Sequence, residues 1–296
     1  MTRVGEVFCL VIFILGCHRS QTHPVTPLTS GTALGQVDSR LEEASGLVAS
    51  VSNPGFLWTI NDSGNLPEIF LIDQHASIRL VCRLANIQNR DWEDIAIDAG
   101  PDGKYYLYVA DIGDNFSRYE HKLIYRLKEP VLSGKKEVVV TQFETFVLRM
   151  PDGKRDAETL LIDPLTHDLF IISKREDSVG LYQVPNPLCQ GVMTLTKVLT
   201  MPFRQIVAGS ISADGQKVLL KNYNTIYYWK KSAGESLPQL LATKPMQLPY
   251  QPEPQGEAIS WSRDGTEFFT LSESTWRNRA DLIVHRKTLL GDKSPW

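Results

Sequence analysis

Residues 93–111 read EDIAIDAGPDGKYYLYVAD: an alternating run, a Pro-Asp-Gly turn, then a second run rich in aromatic and β-branched residues. Such a unit is a strand, a tight turn and a second strand. The unit recurs as SGLVASVSNPGFLWTIND (45–62), ETLLIDPLTHDLFIISK (158–174), GSISADGQKVLLKN (209–222) and EAISWSRDGTEFFTLSE (257–273). The second strands end on Asp62, Asp111, Lys174, Asn222 and Glu273, at intervals of 49, 63, 48 and 51 residues. A third strand follows each copy: EIFLID (68–73), KLIYRL (122–127), GLYQVP (180–185), TIYYWK (225–230) and DLIVHR (281–286). A fourth is expected after the first four copies, in SIRLVCRL (77–84), VVTQFETFVL (139–148), VMTLTKVL (192–199) and QLLATKPM (239–246). Four antiparallel strands, repeated, predict an all-β chain folded as a β-propeller of five four-stranded blades, with six the alternative. The last copy lacks a fourth strand of its own. The segment TALGQVD (32–38) is expected to supply it, closing the ring and removing both open edges.

The chain has 296 residues, 42% of them hydrophobic, enough for a full core. A formal charge of −3 gives no basic footprint, and Lys135–Lys136 and Lys230–Lys231 are isolated pairs. Nucleic acid is therefore excluded as a partner. Arg3, an apolar core from Val7 to Leu15 and then Gly16-Cys17 make a short targeting segment, too brief to span a bilayer. Ile14-Leu15-Gly16-Cys17 resembles the lipobox of bacterial lipoproteins, which implies lipidation of Cys17. Residues 1–16 then form a lipoprotein-type signal peptide, 17–35 a flexible Ser/Thr/Pro-rich tether, and 36–296 the propeller domain. The expected location is extracytoplasmic, on a membrane through the lipid. His18 rather than Asp after the cysteine favours the outer membrane of a diderm cell. Cys82 and Cys189 are read as two buried free thiols, with pairing in an oxidising envelope the alternative.

In a propeller the inner strand of each blade starts on the face where the second strand ends. DWED (91–94), DAET (156–159) and QGEA (255–258) open three inner strands and place Glu93, Glu158 and Glu257 on that face. The first copy offers Glu42, Glu43 and Ser45 there, and the fourth has no carboxylate. The second strands bring Asn61, Asp62, Asp111, Lys174, Arg175, Asn222 and Glu273 to the same face. Three glutamates at one channel mouth need hydration, cations or raised pKa values. Lys174 and Arg175 are candidates to balance two of the charges. Ca²⁺ is the candidate cofactor, with Glu93, Glu158 and Glu257 as its ligands. The bland alternative is that each glutamate accepts backbone N–H bonds from the next blade as a repeated staple. No G-x-S-x-G elbow occurs, and the histidines do not cluster at zinc-ligand spacing. His167 falls on the opposite face, which shows no comparable polar set.

WTINDSGN (58–65) with EIFLID, NRDWEDIAID (89–98) with YLYVADIGDN (106–115), DAETLLIDPLTHDLFIISKR (156–175) and QGEAISWSRDG (255–265) carry a family resemblance. Over residues 41–287 the chain resembles secreted bacterial β-propellers of poorly defined function, similar to esterase-like phytase, NHL-repeat and SdiA-regulated propellers. Calcium-dependent propeller lactonases are a more distant likeness. That likeness implies Glu, Asn and Asp around a central ion, matched in kind by Glu93, Glu158, Glu257 and Asn222. This sequence departs from it in lacking a His dyad and in placing Lys174 where a further ligand is expected. The sequence thus predicts a monomer that binds a small molecule, glycan or envelope protein at the acidic mouth. A Ca²⁺-dependent ester, lactone or phosphoester hydrolase and a purely structural propeller are the alternatives.

Overall fold

The computed structural model describes residues 31–275 and 278–286. The signal segment, Cys17 and the tether up to residue 30 lie outside the described residues. The chain enters through β1 (Thr32–Gln36), which takes in residues 32–35 of the stretch read as tether. Blade one is β2 (Ala44–Ala49), β3 (Leu57–Asn61), β4 (Glu68–Ile72) and β5 (Ile78–Leu84). The second segment holds β6 (Trp92–Ala99), β7 (Tyr105–Asp111), β8 (Lys122–Lys128), β9 (Glu137–Val140) and β10 (Glu144–Arg149). The third holds β11 (Ala157–Ile162), β12 (Leu169–Ser173), β13 (Val179–Val184), β14 (Val192–Thr194) and β15 (Thr196–Met201). The fourth holds β16 (Ala208–Ile211), β17 (Lys217–Lys221), β18 (Ile226–Lys230), α1 (Leu237–Leu241) and β19 (Met246–Leu248). The last holds β20 (Ala258–Trp261), β21 (Glu267–Leu271) and β22 (Asp281–Arg286).

The five inner strands β2, β6, β11, β16 and β20 neighbour one another in sequence order, and β20 returns to β2. The chain is therefore a five-bladed β-propeller. β1 pairs antiparallel with β22, from Thr32↔Val284 to Gln36↔Asp281, so the last blade is completed from the start of the chain.

Three expected fourth strands differ in detail. Val139 and Val140 belong to β9, which adds parallel to the outer edge of blade one, from Val81↔Glu137 to Leu84↔Val140. The fourth strand of blade two is β10 alone, paired with β8. Likewise Val192–Thr194 is β14, parallel to β10 on blade two, and only β15 completes blade three. QLLA (239–242) is not strand. Ser236 and Gln239 form a reciprocal capping box, and Leu237, Leu240 and Leu241 bury one helical face. The i, i+3, i+4 spacing wins over β-propensity here, leaving β19 as a three-residue fourth strand.

Five apolar clusters fill the five junctions between blades. Trp58, Ile69 and Leu71 of blade one meet Trp92, Val109 and Tyr125 of blade two. Each large side chain so buried contributes roughly 1.5–3 kcal/mol. The inner strands are also sewn together by polar groups. Oδ2 of Asp94 accepts from Leu160 N at 2.8 Å, Ser260 Oγ from Ala49 N at 3.1 Å, and Ser210 Oγ from Trp261 N at 3.0 Å. Ser45 Oγ donates to Glu93 O at 2.5 Å. Asp94, Ser210, Ser260 and Ser45 thus staple the inner strands, a role the carboxylates of Glu93, Glu158 and Glu257 do not take.

One further clamp ties blade two to blade one. Glu129, just past β8, is 2% exposed. Its Oε1 accepts from Ser50 Oγ (2.6 Å), Val51 N (3.0 Å) and Trp58 Nε1 (2.9 Å), and its Oε2 from Ser52 N (2.8 Å). Cys82 and Cys189 are both free thiols; Cys82 is buried but Cys189, expected inside, is exposed in the connection before β14.

Candidate functional site

Antiparallel register brings the start of each inner strand opposite the end of its second strand. Ala44 pairs with Asn61, Trp92 with Asp111, Ala157 with Ser173, Ala208 with Lys221 and Ala258 with Leu271. Residues just before the one and just after the other therefore rim the same channel mouth. There the carboxylates fall into three interlocking groups: Asp62, Asp91 and Glu93; Asp62, Glu257 and Glu273; Glu93, Asp156 and Glu158. Within each group the oxygens lie within 4.8 Å of one another. Three oxygens that close share a point within about 2.8 Å of each, near the 2.3–2.6 Å bonds that Ca²⁺ makes.

The three glutamates are buried, Glu93 and Glu158 at 2% and Glu257 at 4% exposure. Lys174 is the central cation: it bonds Glu158 Oε1 and lies 3.7 Å from Glu257. Arg175 pairs with Asp156 at 2.6 Å. Tyr223 donates its hydroxyl to Glu257. Oε2 of Glu158 is buried without a partner. The bonds of Glu158 and Glu257 run to side chains, and among the described residues no backbone N–H bonds any of the three carboxylates, so the backbone-staple alternative does not describe them.

Electrostatics follow from that crowding. Burial first, then the charges of Glu158, Asp62, Asp91 and Glu257, hold Glu93 well above the usual carboxylate range. Burial raises Glu158 as well, against the pull of Lys174. Burial pushes Asp62 up to about 7, with Asp91, Glu257 and Glu43 adding to it. Glu273 rises to about 7, through burial and then Glu257. Burial works against the Lys174 charge, but Glu158 and Glu257 outweigh it and raise the lysine above its ordinary value. A buried cluster in which carboxylates must keep protons is one that a divalent cation would relieve.

The other expected residues are placed differently. Asp111 is buried against Arg90, Nε donating to Oδ1 at 2.9 Å, and belongs to none of the three groups. Arg90 in turn stacks on Tyr119. Asn222 turns inward on its own loop, Oδ1 accepting from Asn224 N and Thr225 N, an Asx-turn. Glu43 bonds Asn65 at the surface, and Asn61 donates to Arg40 O. Asp91 and Asp156 are the ligand candidates not singled out from sequence. The signal was present in the repeated D-x-E of DWED and DAET, where two carboxylates two apart frame the same mouth.

The paired glycines of NDSGN and DIGDN do different work. Gly64 sits at φ +81° with open space around it, a turn requirement. Gly113 lets the backbone lie against the cluster, where a Cβ would land on Glu93 Oε1 and the Asp91 carboxyl. Gly113→Ala is expected to displace both carboxylates and weaken cation binding. Gly64→Ala costs roughly 1–2 kcal/mol of backbone strain and leaves binding intact. Calcium titration of both variants checks this; equal affinities would refute it.

No family model matches the chain, and no curated protein matches it. Among solved structures it is similar to the Kuenenia stuttgartiensis hydrazine synthase, at 10% identity and TM-score 0.41, over 82% of this chain and 71% of that one. It is also similar to the Myceliophteria thermophila Cps50 (Swd1) β-propeller domain, at 10% identity and TM-score 0.47, over 87% of this chain and all of that one.

Proposed function

We propose that the protein is a membrane-anchored, extracytoplasmic binding module whose channel mouth takes Ca²⁺. Through the ion and the half-buried Asp62 and Glu273 it takes a polar ligand, a small molecule, a glycan or an envelope partner. The observation that carries this reading is Glu93: a buried carboxylate shared by two oxygen clusters, with one lysine among the glutamates to offset them. An all-oxygen, carboxylate-rich donor set suits a hard cation rather than zinc. The tightness of the clusters supports an ion, rather than an organic group, at the glutamates themselves. Binding is favoured over hydrolysis because none of the three groups includes a histidine.

The test is thermal unfolding of the purified protein in EDTA and then in excess Ca²⁺. A ligand bound only by the native state stabilises it, by about 2.7 kcal/mol at a hundred times Kd. The midpoint is expected to rise with Ca²⁺ in the wild type and to rise less in Glu158→Gln. No shift in either sinks the cation site and leaves a structural propeller. Turnover of an ester or phosphoester panel by the loaded protein would make it a hydrolase instead.

The anchor is tested separately. Cells fed labelled palmitate are expected to incorporate label into the wild type and not into Cys17→Ser, which is released to the soluble fraction. An unlabelled wild type would remove the lipid from this reading.

A further inference from the structure

The other end of the channel holds a cavity of about 150 Å³ to which all five blades contribute. Its walls include Ile97, Ile162 and Ile211. This face has no carboxylate set like that of the mouth among its described residues, yet it carries polar groups of its own. His167, in the turn between β11 and β12, donates from Nδ1 to Oδ2 of Asp98 on the neighbouring blade at 2.7 Å. Asp98, buried at the end of β6, is thereby occupied. Arg263, in the turn between β20 and β21, reaches the ring of Tyr105 at 5.7 Å. Those residues belong to blades five and two, which are not neighbours in the ring. The guanidinium is therefore drawn across the opening rather than along it. Arg263 makes no ion pair with a described residue.

The balance of hydrogen-bonding groups decides what fits. The hydroxyls of Ser212 and Ser262 are engaged within their own turns, Ser212 on Asp214 and Ser262 on Asp264. Among the described residues that line the cavity the one carboxylate, Asp98, is held by His167. At the opening the Arg263 fork and the Tyr105 hydroxyl make no hydrogen bond to a described residue; the fork can only donate, while the hydroxyl and the Nε2 of His167 can donate or accept. The lining is more polar than apolar, with Ile97, Ile162 and Ile211 as its aliphatic patch, so it suits a ligand with an anionic head at Arg263 and a compact body laid against that patch. A cavity of this volume admits about one benzene-sized ring.

We propose that the floor of the channel is a second binding site, for a small organic acid whose carboxylate is taken by Arg263 and whose body enters between Ile97, Ile162 and Ile211. It is independent of the acidic mouth, which would repel such a ligand. Arg263 offers a planar fork that matches a carboxylate through two N–H bonds.

Benzoate is the probe, with benzamidine of the same shape and opposite charge as control, both titrated against the full mature protein in EDTA by calorimetry and NMR. Benzoate is expected to bind saturably and to shift resonances of Tyr105 and Ile162, while benzamidine does not bind. Arg263→Gln weakens benzoate about tenfold or more, and Arg263→Lys less. Glu158→Gln, at the far end, leaves benzoate affinity unchanged, so failure here is distinguishable from failure of the cation site. Arg263 lies in an exposed turn, and a wild-type melting curve for the variant certifies its fold. Equal binding of the two probes, wild-type benzoate affinity in Arg263→Gln, or no saturable benzoate binding overturns the proposal.

Discussion

Glu129→Ala will lose roughly 3–5 kcal/mol of stability, because one truncation strands four buried or half-buried donors at once. The Trp58 indole N–H, the Ser50 hydroxyl and the amides of Val51 and Ser52 all converge on that carboxylate. Ser50 and Trp58 are 1% and 0% exposed, so their two donors have little access to solvent once the carboxylate is gone. For a domain this size each kcal/mol moves the midpoint by about 2–4 °C, so a fall of about 10 °C is expected. Glu129→Gln keeps one acceptor oxygen and should cost about half as much. Thermal unfolding followed by tryptophan fluorescence reads both. A midpoint within about 1 °C of wild type for the alanine variant would show that blade one does not depend on this carboxylate.

The second large effect is the dependence of calcium stabilisation on pH. Asp62 and Glu273 have folded pKa values near 7, against 3.8 and 4.5 for the same groups in an unfolded chain. Between those limits the metal-free native state holds protons that the unfolded state releases. By linkage, the stability contributed by these groups is full below about pH 4 and is lost as pH rises through about 7. Ca²⁺ bound as proposed would take the place of the protons and so restore what the rise in pH removes. The metal-free protein is expected to melt lower at pH 8 than at pH 5, and the gain on adding Ca²⁺ to be larger at pH 8. Glu273→Gln, which cannot ionise, should flatten both trends. A calcium gain that is the same at pH 5 and pH 8 would mean that these carboxyls do not meet the ion.

How much of this was legible in the sequence depends on the range of the interaction. Strand, turn and strand are local, so the five copies and their turns declared the propeller directly. The closing strand was legible too, because the last copy ran short and Thr32–Gln36 was free to complete it. What escaped were choices between two local preferences. QLLA has strand-compatible residues, and only Ser236 with Gln239 three residues on tips it to helix. Val139 and Val140 read as part of their own blade, yet pair with β5 across the junction. In the site, alternation and register put Glu93, Glu158, Glu257, Asp62, Glu273 and Lys174 on one rim. They could not say that Asp111 would be consumed by Arg90, or Asn222 by its own loop. Glu129 was invisible for the same reason: its partners lie 71 to 79 positions away, and nothing in EPVLSG sets it apart.

The direction of β1 carries a consequence for orientation. β22 descends from Asp281, opposite Gln36, to Arg286, which pairs with Glu267 beside the Asp264–Gly265 turn. β1 runs the other way, so the chain arrives at Thr32 from the floor of the propeller and climbs toward the rim of carboxylates. A pull on Gly31 therefore acts on the disc from beneath. Such tension falls first on the few β1–β22 hydrogen bonds, at a seam where the ring is not continuous chain.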